Sequence, residues 1–369
     1  MKIKDLETPA ILLDLDIAEN NLRTYQALCK ENGKKLWPMV KTHKSTALLK
    51  KQLEMGAKGA LCGTVDECEM AVAAGAKKIM YAYPPANPKN ISRLAALAKK
   101  TEIIVRLDNL EAARLLEEAA DKEGITFYYS IIVDMDFHRF GVAPDQVVAF
   151  AEEMKAFPRL KLFAISTHPG QVYGCTTQEE RAAVAKLECE TMAKAAADLK
   201  AAGFDNFYVT SGSTPTFALT VADPAIQIYH PGNYVYHDAI QMALGSAEEK
   251  DCSLTVLATI VSHPAEDVFL CDAGAKCLGL DQGAHGNAAV KGFGIVKGHP
   301  ELTVYGLSEE VGKIKIEGPT DLKIGDKIQI IPNHSCSSAN LTSWLVGTRG
   351  QEVTNQIEVD VRGNSRQKG

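Results

Sequence analysis

Residues 59–107 read GALCGTVDECEMAVAAGAKKIMYAYPPANPKNISRLAALAKKTEIIVRL. Three short apolar or β-branched runs stand in this stretch: Gly59 to Cys62, Lys78 to Tyr81 and Glu102 to Leu107. Between them lie segments of helical period, Val65 to Ala74 and Ile91 to Lys99. Thr64 before Val65 is a good N-cap residue, and so is Asp108 before Asn109, just past the third run. The unit is strand, helix, strand, helix.

Working outward, the same unit repeats on both sides. Further candidate strands are Trp37 to Val40, Tyr129 to Asp134, Leu162 to Thr167, Phe207 to Thr210 and Ile226 to Tyr229. Further candidate helices are Ser45 to Met55, Leu110 to Ala120, Asp145 to Lys155 and Gln178 to Ala202. About eight such steps in roughly 200 residues predict an α/β fold, a (β/α)8 TIM-type barrel. A doubly wound sheet is the alternative that the alternation alone leaves open. After Gly245 the texture changes to short strands and turns: Ser253 to Val261, Val268 to Asp272, Gly292 to Val296, Thr303 to Gly306, Lys313 to Glu317, Lys327 to Ile331, Thr342 to Val346 and Ile357 to Val361. That pattern predicts a C-terminal antiparallel β domain. The early run Ala10 to Asp14 is a candidate to join it. The reading is a barrel over 15–245 and a β domain made of 1–14 plus 246–369. The polar end from Gly363 to Gly369 is expected to fray.

The chain has 369 residues and a net charge of -6, with 46% hydrophobic and 23% charged residues. No apolar run approaches about 18 residues, so no membrane span is expected. No long basic run marks a nucleic-acid partner. The nine cysteines are irregularly spaced without a CxxC, which reads as reduced thiols, most of them small buried hydrophobes. Met1 to Leu6 lacks the apolar stretch of a signal peptide. These features together predict a cytoplasmic protein.

In a barrel, reactive groups belong at the C-terminal ends of strands. Lys41 follows the first candidate strand in Val40-Lys41-Thr42-His43-Lys44. Arg139 follows the fifth. His168 and Tyr173 follow the sixth. Ser211-Gly212-Ser213-Thr214 follows the seventh, and His230-Pro231-Gly232-Asn233-Tyr234 the eighth. Small hydroxyl-bearing and glycine loops at those two places fit a phosphate cradle. Most lysines after strands are solvated surface groups, and most Ser/Gly turns are only caps. Convergence on one face of one barrel is what favours the functional reading. A phosphate there and a lysine at the end of strand one suggest pyridoxal 5'-phosphate, whose aldehyde a lysine amine can bind as a Schiff base. A second pair, His334 and Cys336, ends the run from Lys327. If the chain stays extended, residues two apart share a face. Imidazole and thiolate suit a divalent metal, zinc best. His263, His285 and His299 show no ligand spacing and read as structural or exposed.

Taken together, these motifs resemble the D-threonine aldolase and D-serine dehydratase family, fold-type III pyridoxal-phosphate enzymes with an alanine racemase-like barrel. The resemblance runs from Glu7-Thr8-Pro9-Ala10 through Val40-Lys41-Thr42-His43-Lys44, Gly212-Ser213-Thr214-Pro215-Thr216 and His230-Pro231-Gly232-Asn233-Tyr234 to Pro332-Asn333-His334-Ser335-Cys336. It implies Lys41 as the Schiff-base lysine; once displaced by substrate, Lys41 is well placed to be the base, and His168 is the second catalytic candidate. The resemblance also implies Ser213, Thr214, Gly232 and Asn233 at the phosphate, and Arg139, His168 and Tyr173 flanking the cofactor ring. His334 and Cys336 would hold the metal, zinc or alternatively manganese, and a homodimer is implied. The chain departs from its relatives at Trp37-Pro38-Met39, where Arg-Pro-His is frequent, and at Val311, where His is frequent. His-x-Cys and the two loops look like the dehydratases, which eliminate water from a β-hydroxy-D-amino acid to give a 2-keto acid and ammonia. Val256 to Val261 and Asp272-Ala273-Gly274 look as much like the aldolases, which cleave such substrates to glycine and an aldehyde. A racemase and a non-catalytic pyridoxal-phosphate protein are further alternatives.

Overall fold

The computed structural model describes residues 1–282 and 290–363. Eight parallel strands form the first sheet: β2 (Lys35–Leu36), β3 (Ala60–Cys62), β4 (Lys78–Tyr81), β5 (Glu102–Leu107), β6 (Phe127–Ile132), β7 (Leu160–Ser166), β8 (Tyr208–Ser211) and β9 (Ile228–Tyr229). Their order is β2-β9-β8-β7-β6-β5-β4-β3. The ring closes between its two ends: Lys58 N–H donates to the Leu36 carbonyl and Leu61 N–H to the Pro38 carbonyl, both at 2.9 Å. The helices on its outside are α1 (Leu15–Glu31), α2 (Thr46–Glu54), α3 (Val65–Ala73), α4 (Pro88–Ala98), α5 (Leu110–Glu123), α6 (Val147–Glu153), α7 (Gln178–Ala201) and α8 (Thr214–Thr220). Thr64 caps α3 by accepting from Glu67 N–H. The cap of α5 is Asn109 and not Asp108. Asp108 instead accepts from Gly141 N–H at 2.9 Å, a long-range bond that local pattern cannot show.

The first barrel strand ends earlier than its apolar run suggests. Regular structure stops at Leu36, and Val40–Thr42 forms a tight helical turn. Pro38 has no N–H to continue a ladder. The backbone nonetheless stays in line, because Trp37 and Met39 donate to Tyr229 and Pro231 at 2.9 and 3.0 Å. Trp37, Leu61, Met80, Ile104, Phe163, Ala164 and Ile228 plug the barrel interior. The plug makes an apolar floor to the barrel.

The second sheet contains β1 (Ala10–Asp14), β10 (Leu254–Ala265), β11 (Val268–Cys271), β12 (Gly294–Val296), β13 (Leu302–Leu307), β14 (Gly312–Ile316), β15 (Lys327–Pro332), β16 (Trp344–Arg349) and β17 (Glu352–Glu358). Strands β10, β11, β14, β13, β12 and β15 close into an antiparallel barrel, because β10 pairs with both β11 and β15. β1 joins this sheet, antiparallel to β10 and parallel to β16. Among the described residues three short helices follow β9: α9 (Ala239–Ala243), α10 (Ala275–Leu278) and α11 (Ser335–Asn340). The last two strands are displaced from the apolar runs Thr342 to Val346 and Ile357 to Val361. The reason is a tight hairpin at Gly350, whose φ of 53° suits glycine.

All nine cysteines are free thiols, seven of them buried. No described helix is long and apolar enough to cross a membrane.

Candidate active site

A cavity of about 630 Å³ opens at the C-terminal end of the first barrel, where the β domain covers one side. Inward positions along each strand are two residues apart. Counting upward from the floor, Trp37 leads to Met39 and Lys41, Ile104 to Arg106, Ala164 to Ser166 and His168, and Ile228 to His230 and Gly232. Lys41 is exposed and lines this cavity. Lys44 is buried, with its Nζ 3.4 Å from Glu67 Oε1. Burial raises the Glu67 carboxyl, against the opposing pull of the Gly63 N–H and of Lys44.

Arg139, His168, Tyr173, Gly212, Ser213, Thr214, Gly232 and Asn233 all reach the cavity with Lys41. Arg139 lies 4.8 Å from the Phe137 ring centroid and 5.7 Å from that of Phe140. His168 Nδ1 faces the Gly212 carbonyl at 3.1 Å. A carbonyl only accepts, so Nδ1 carries the hydrogen. Burial pushes His168 well below the usual imidazole range, and Arg139 and Lys41 push it further. Burial also raises the Tyr173 phenol, helped by Cys336 and Asp238.

Two of the expected cofactor residues point elsewhere. Ser211 Oγ donates to buried Glu188 Oε1 at 2.6 Å, behind the loop. The Tyr234 ring packs 4.6 Å from that of Tyr25, and its hydroxyl accepts from Gln52 at 2.9 Å. Their backbones still shape the loops: Ser211 C=O accepts from His230 N–H, and Tyr234 N–H donates to Thr214 Oγ1. Trp37 fills the floor and Met39 lines the cavity. Val311 lies in the turn before β14, where its carbonyl accepts from Ser308 N–H. His263 is near the Glu266 carbonyl and His299 near Glu301. His285 lies outside the described residues.

Sequence reasoning passed over Arg106 and Asp238, and took His230 only as part of its loop. Arg106 and His230 carry a readable signal, because each stands two residues beyond an inward apolar residue. Arg106 is buried and its Nη2 has no partner. Burial lowers it to about 9, with Arg139 adding to the effect. His230 Nδ1 faces the Trp37 carbonyl at 2.9 Å, and its Nε2 is buried without a partner. Burial, then Arg106, pushes His230 down to about 3, so it is neutral with a lone pair on Nε2. Asp238 had no sequence signal. Its Oδ2 accepts from Asn233 Nδ2 at 2.6 Å and from Ser335 N–H at 2.9 Å. It thereby ties the barrel loop to the β domain.

His334 and Cys336 do not lie on an extended segment, as the shared-face argument supposed. His334 precedes α11 and Cys336 falls in its first turn. The turn still brings the side chains together and into the cavity. His334 Nδ1 lies 3.2 Å from Asp281 Oδ1, leaving Nε2 for another partner. Cys336 Sγ is 3.3 Å from Thr42 Oγ1, beside Lys41. Burial alone would raise the thiol, but His334 and Thr42 outweigh it and hold it below its usual value. His334 is held well above the usual range, since Cys336 and Asp281 overcome its burial.

The cavity fits pyridoxal phosphate on two counts. Its volume accommodates a drug-sized ligand. Unpartnered polar atoms of Arg106, His230 and Asn233 belong to its lining residues. Gly212, with φ of 147°, lets its loop press against the one after β9, where a Cβ would come 2.6 Å from His230 N. Among the described residues no group of three or more His, Cys, Asp and Glu side chains converges. His334 and Cys336 could offer a metal one imidazole and one sulfur, a pair of the kind that suits a soft or borderline divalent ion.

A lysine-bearing barrel capped by a β domain defines a class, and the comparisons place the chain in it. Residues 13–239 match the alanine racemase N-terminal domain family and 253–348 a serine dehydratase domain family. The chain belongs to the alanine racemase N-terminal domain family. It is 30% identical to a D-threonine aldolase from Arthrobacter sp, over 98% of this chain and 94% of that protein. It is 29% identical to a D-serine dehydratase from Dictyostelium discoideum, over 92% and 93%. The solved D-threo-3-hydroxyaspartate dehydratase from Delftia sp. HT23 superposes with a TM-score of 0.90 at 28% identity, over 97% and 98%. One solved mutant of a D-threo-3-hydroxyaspartate dehydratase is described as metal-free.

Proposed function

We propose that this chain is a pyridoxal-phosphate- and divalent-metal-dependent lyase acting on β-hydroxy-D-amino acids, with elimination to a 2-keto acid and ammonia as its reaction. The observation that carries the reading is the meeting of Lys41 with the His334–Cys336 pair in one cavity, Thr42 linking the two. Bound pyridoxal phosphate supplies an electron sink that acidifies the Cα–H of an attached amino acid. A bound divalent ion supplies Lewis acidity toward a β-hydroxyl.

This chain's residues do the rest. Lys41 offers the amine that attaches the cofactor, and then takes the proton from substrate Cα. Ser213, Thr214, Gly232 and Asn233 hold the phosphate. Arg139, His168 and Tyr173 flank the cofactor ring. His168, fixed by the Gly212 carbonyl and kept neutral by burial, presents Nε2 rather than a second charge. His334 and Cys336 hold the metal, zinc being favoured by the sulfur. The apolar floor keeps water below the reacting atoms out.

Retro-aldol cleavage to glycine and an aldehyde is the second reading, supported by the similarity to the Arthrobacter D-threonine aldolase. The deciding experiment is product analysis with D-serine and D-threonine, with and without chelator. Keto acid plus ammonia supports elimination; glycine plus aldehyde replaces it with cleavage. Metal-independent interconversion of enantiomers would sink both. A cytoplasmic homodimer with domains 15–245 and 1–14 plus 246–369 belongs to the same proposal. Sedimentation of the purified chain tests the dimer.

A further inference from the structure

Behind the loop that follows β8 lies a carboxyl group that the proposed chemistry does not use. Glu188 sits within α7 and is fully buried. Ser211 Oγ donates to its Oε1 at 2.6 Å. The Thr216 hydroxyl is a second neighbour. Its Oε2 is buried without a hydrogen-bond partner. These contacts grip both ends of one loop, since Ser211 closes β8 and Thr216 stands in the first turn of α8. Thr216 Oγ1 in turn lies 3.0 Å from Ser213 Oγ, and Ser213 is on the cavity wall. A line of side chains thus runs from the interior to the cavity: Glu188, Thr216, Ser213.

Each hydroxyl has one proton to donate, and a carboxylate has none. An ionised Glu188 draws the Thr216 O–H toward itself, and Thr216 then draws the Ser213 O–H. Ser213 is left facing the cavity with lone pairs, which repel an anion. A protonated Glu188 can donate instead. Thr216 then turns its O–H to Ser213, and the Ser213 O–H is released toward the cavity.

We infer that Glu188 is a positioning residue for the cofactor: as a neutral acid it orients the Thr216 and Ser213 hydroxyls so that Ser213 donates to the phosphate. The inference rests on the reading of this loop as the phosphate cradle. Burial favours the neutral form, raising Glu188 to about 7 against the opposing Ser211 and Thr216 hydroxyls. Oε2 meets no hydrogen-bond partner in this conformation, so a carboxylate leaves it uncompensated, whereas a protonated Oε2 can turn its hydrogen to the neighbouring Thr216 hydroxyl. The other ionisable groups facing it are Cys189 on its own helix and Tyr229 on β9. Burial pushes Cys189 up to about 12 and also raises Tyr229, so both stay neutral. Lys34 and Asp223 lie beyond them and act on Cys189. Among the described residues, no cation acts to hold Glu188 ionised.

A phosphate dianion nearby raises Glu188 further. Cofactor affinity should therefore fall as pH rises through the free protein's value toward the bound one. The test is titration of the cofactor-stripped full chain with pyridoxal phosphate at pH 6.5 and 8.5, read by absorbance. Wild type is compared with Glu188→Gln, which cannot ionise, and pyridoxal without the phosphate is run in parallel. Ionisation of the ligand is common to both proteins. On raising the pH, wild type should lose about tenfold more affinity than Glu188→Gln, a one-unit difference in linkage. Pyridoxal should show no such difference. Equal pH dependence in the two proteins overturns the inference, as does the same difference with pyridoxal. Uptake by neither protein at either pH overturns the cofactor reading itself. Should Glu188→Gln fail to fold, Thr216→Val removes the middle of the line at nearly equal volume. It should bind at pH 6.5 as weakly as wild type does at 8.5; wild-type behaviour there overturns the inference too.

Discussion

The cavity has two walls built by different means. On the first barrel's side the side chains stand on strands or on the short segments just past their ends. Arg106 lies on β5, His168 and His230 follow β7 and β9, and Lys41 sits in the helical turn after Trp37, so the closed sheet sets where each of them starts. On the β-domain side, His334 and Cys336 are placed by a single turn at the end of β15. That turn is held from outside: by Asp238 through Ser335, by Asp281 through His334, and by Thr42 through Cys336. The strand-built wall is rigid because a closed sheet fixes it many times over. The turn-built corner depends on a few buried polar bonds. The difference teaches that cofactor binding and metal binding should fail separately.

The largest expected effect lies on the strand-built wall. Lys41→Ala should reduce turnover by roughly 10^4-fold or more. It should also lose the near-visible absorbance of the lysine-bound cofactor while keeping the metal. Borohydride reduction that still yields a cofactor–lysine adduct in this variant would break the assignment. Next comes the corner. Cys336→Ala or chelation should cost about 10^3-fold in turnover, the scale of several kcal/mol of Lewis-acid stabilisation. The cofactor's absorbance should stay. Loss of that absorbance on chelation would show that the walls are not independent. Cys336→Asp should shift the metal preference from zinc toward manganese, read by elemental analysis, and the products toward glycine.

Two smaller changes sharpen the boundary between the walls. Asp238→Asn replaces an acceptor with a group that, at one of its two atoms, is a donor facing donors. It should destabilise the protein by about 1–3 kcal/mol per lost buried bond, measured by denaturant unfolding. Metal content should fall with it, since Asp238 pins Ser335. Wild-type metal content in this variant would remove Asp238 from the corner's support. Gly212→Ala is the smallest. Its Cβ would meet the backbone of His230, at 2.6 Å from the nitrogen. Cofactor affinity should drop by about tenfold, roughly 1.4 kcal/mol, with metal content unchanged. Equilibrium dialysis against pyridoxal phosphate checks it.

The two walls were also unequally legible. Lys41, Gly212, Ser213, Gly232 and Asn233 follow from counting strands and looking just past their ends. Arg106 and His230 were legible in principle by the same count, had the inward row been extended. Ser211 and Tyr234 lie in the right loops but turn their side chains into Glu188 and Tyr25, partners 23 residues or more away in sequence. In the corner, the pair His334 and Cys336 was visible as chemistry, while the conformation assigned to it was not. An extended pair and a capped helical turn can both bring residues two apart together, and only packing chooses between them.

What the sequence by itself determined is periodic and local. Strand–helix alternation, the change of texture after Gly245, the small loops and the reactive residue types all follow from side-chain spacing and backbone preference. Only the tertiary structure decided what depends on residues far apart. It joined β1 to β10 and β16, and it closed the β-domain barrel by pairing β10 with both β11 and β15. It set Cys336 beside Thr42, 294 positions earlier, and buried Glu188 behind Ser213. Each of those outcomes balances long-range packing against the cost of burying polar groups, and no local window contains both sides of that balance.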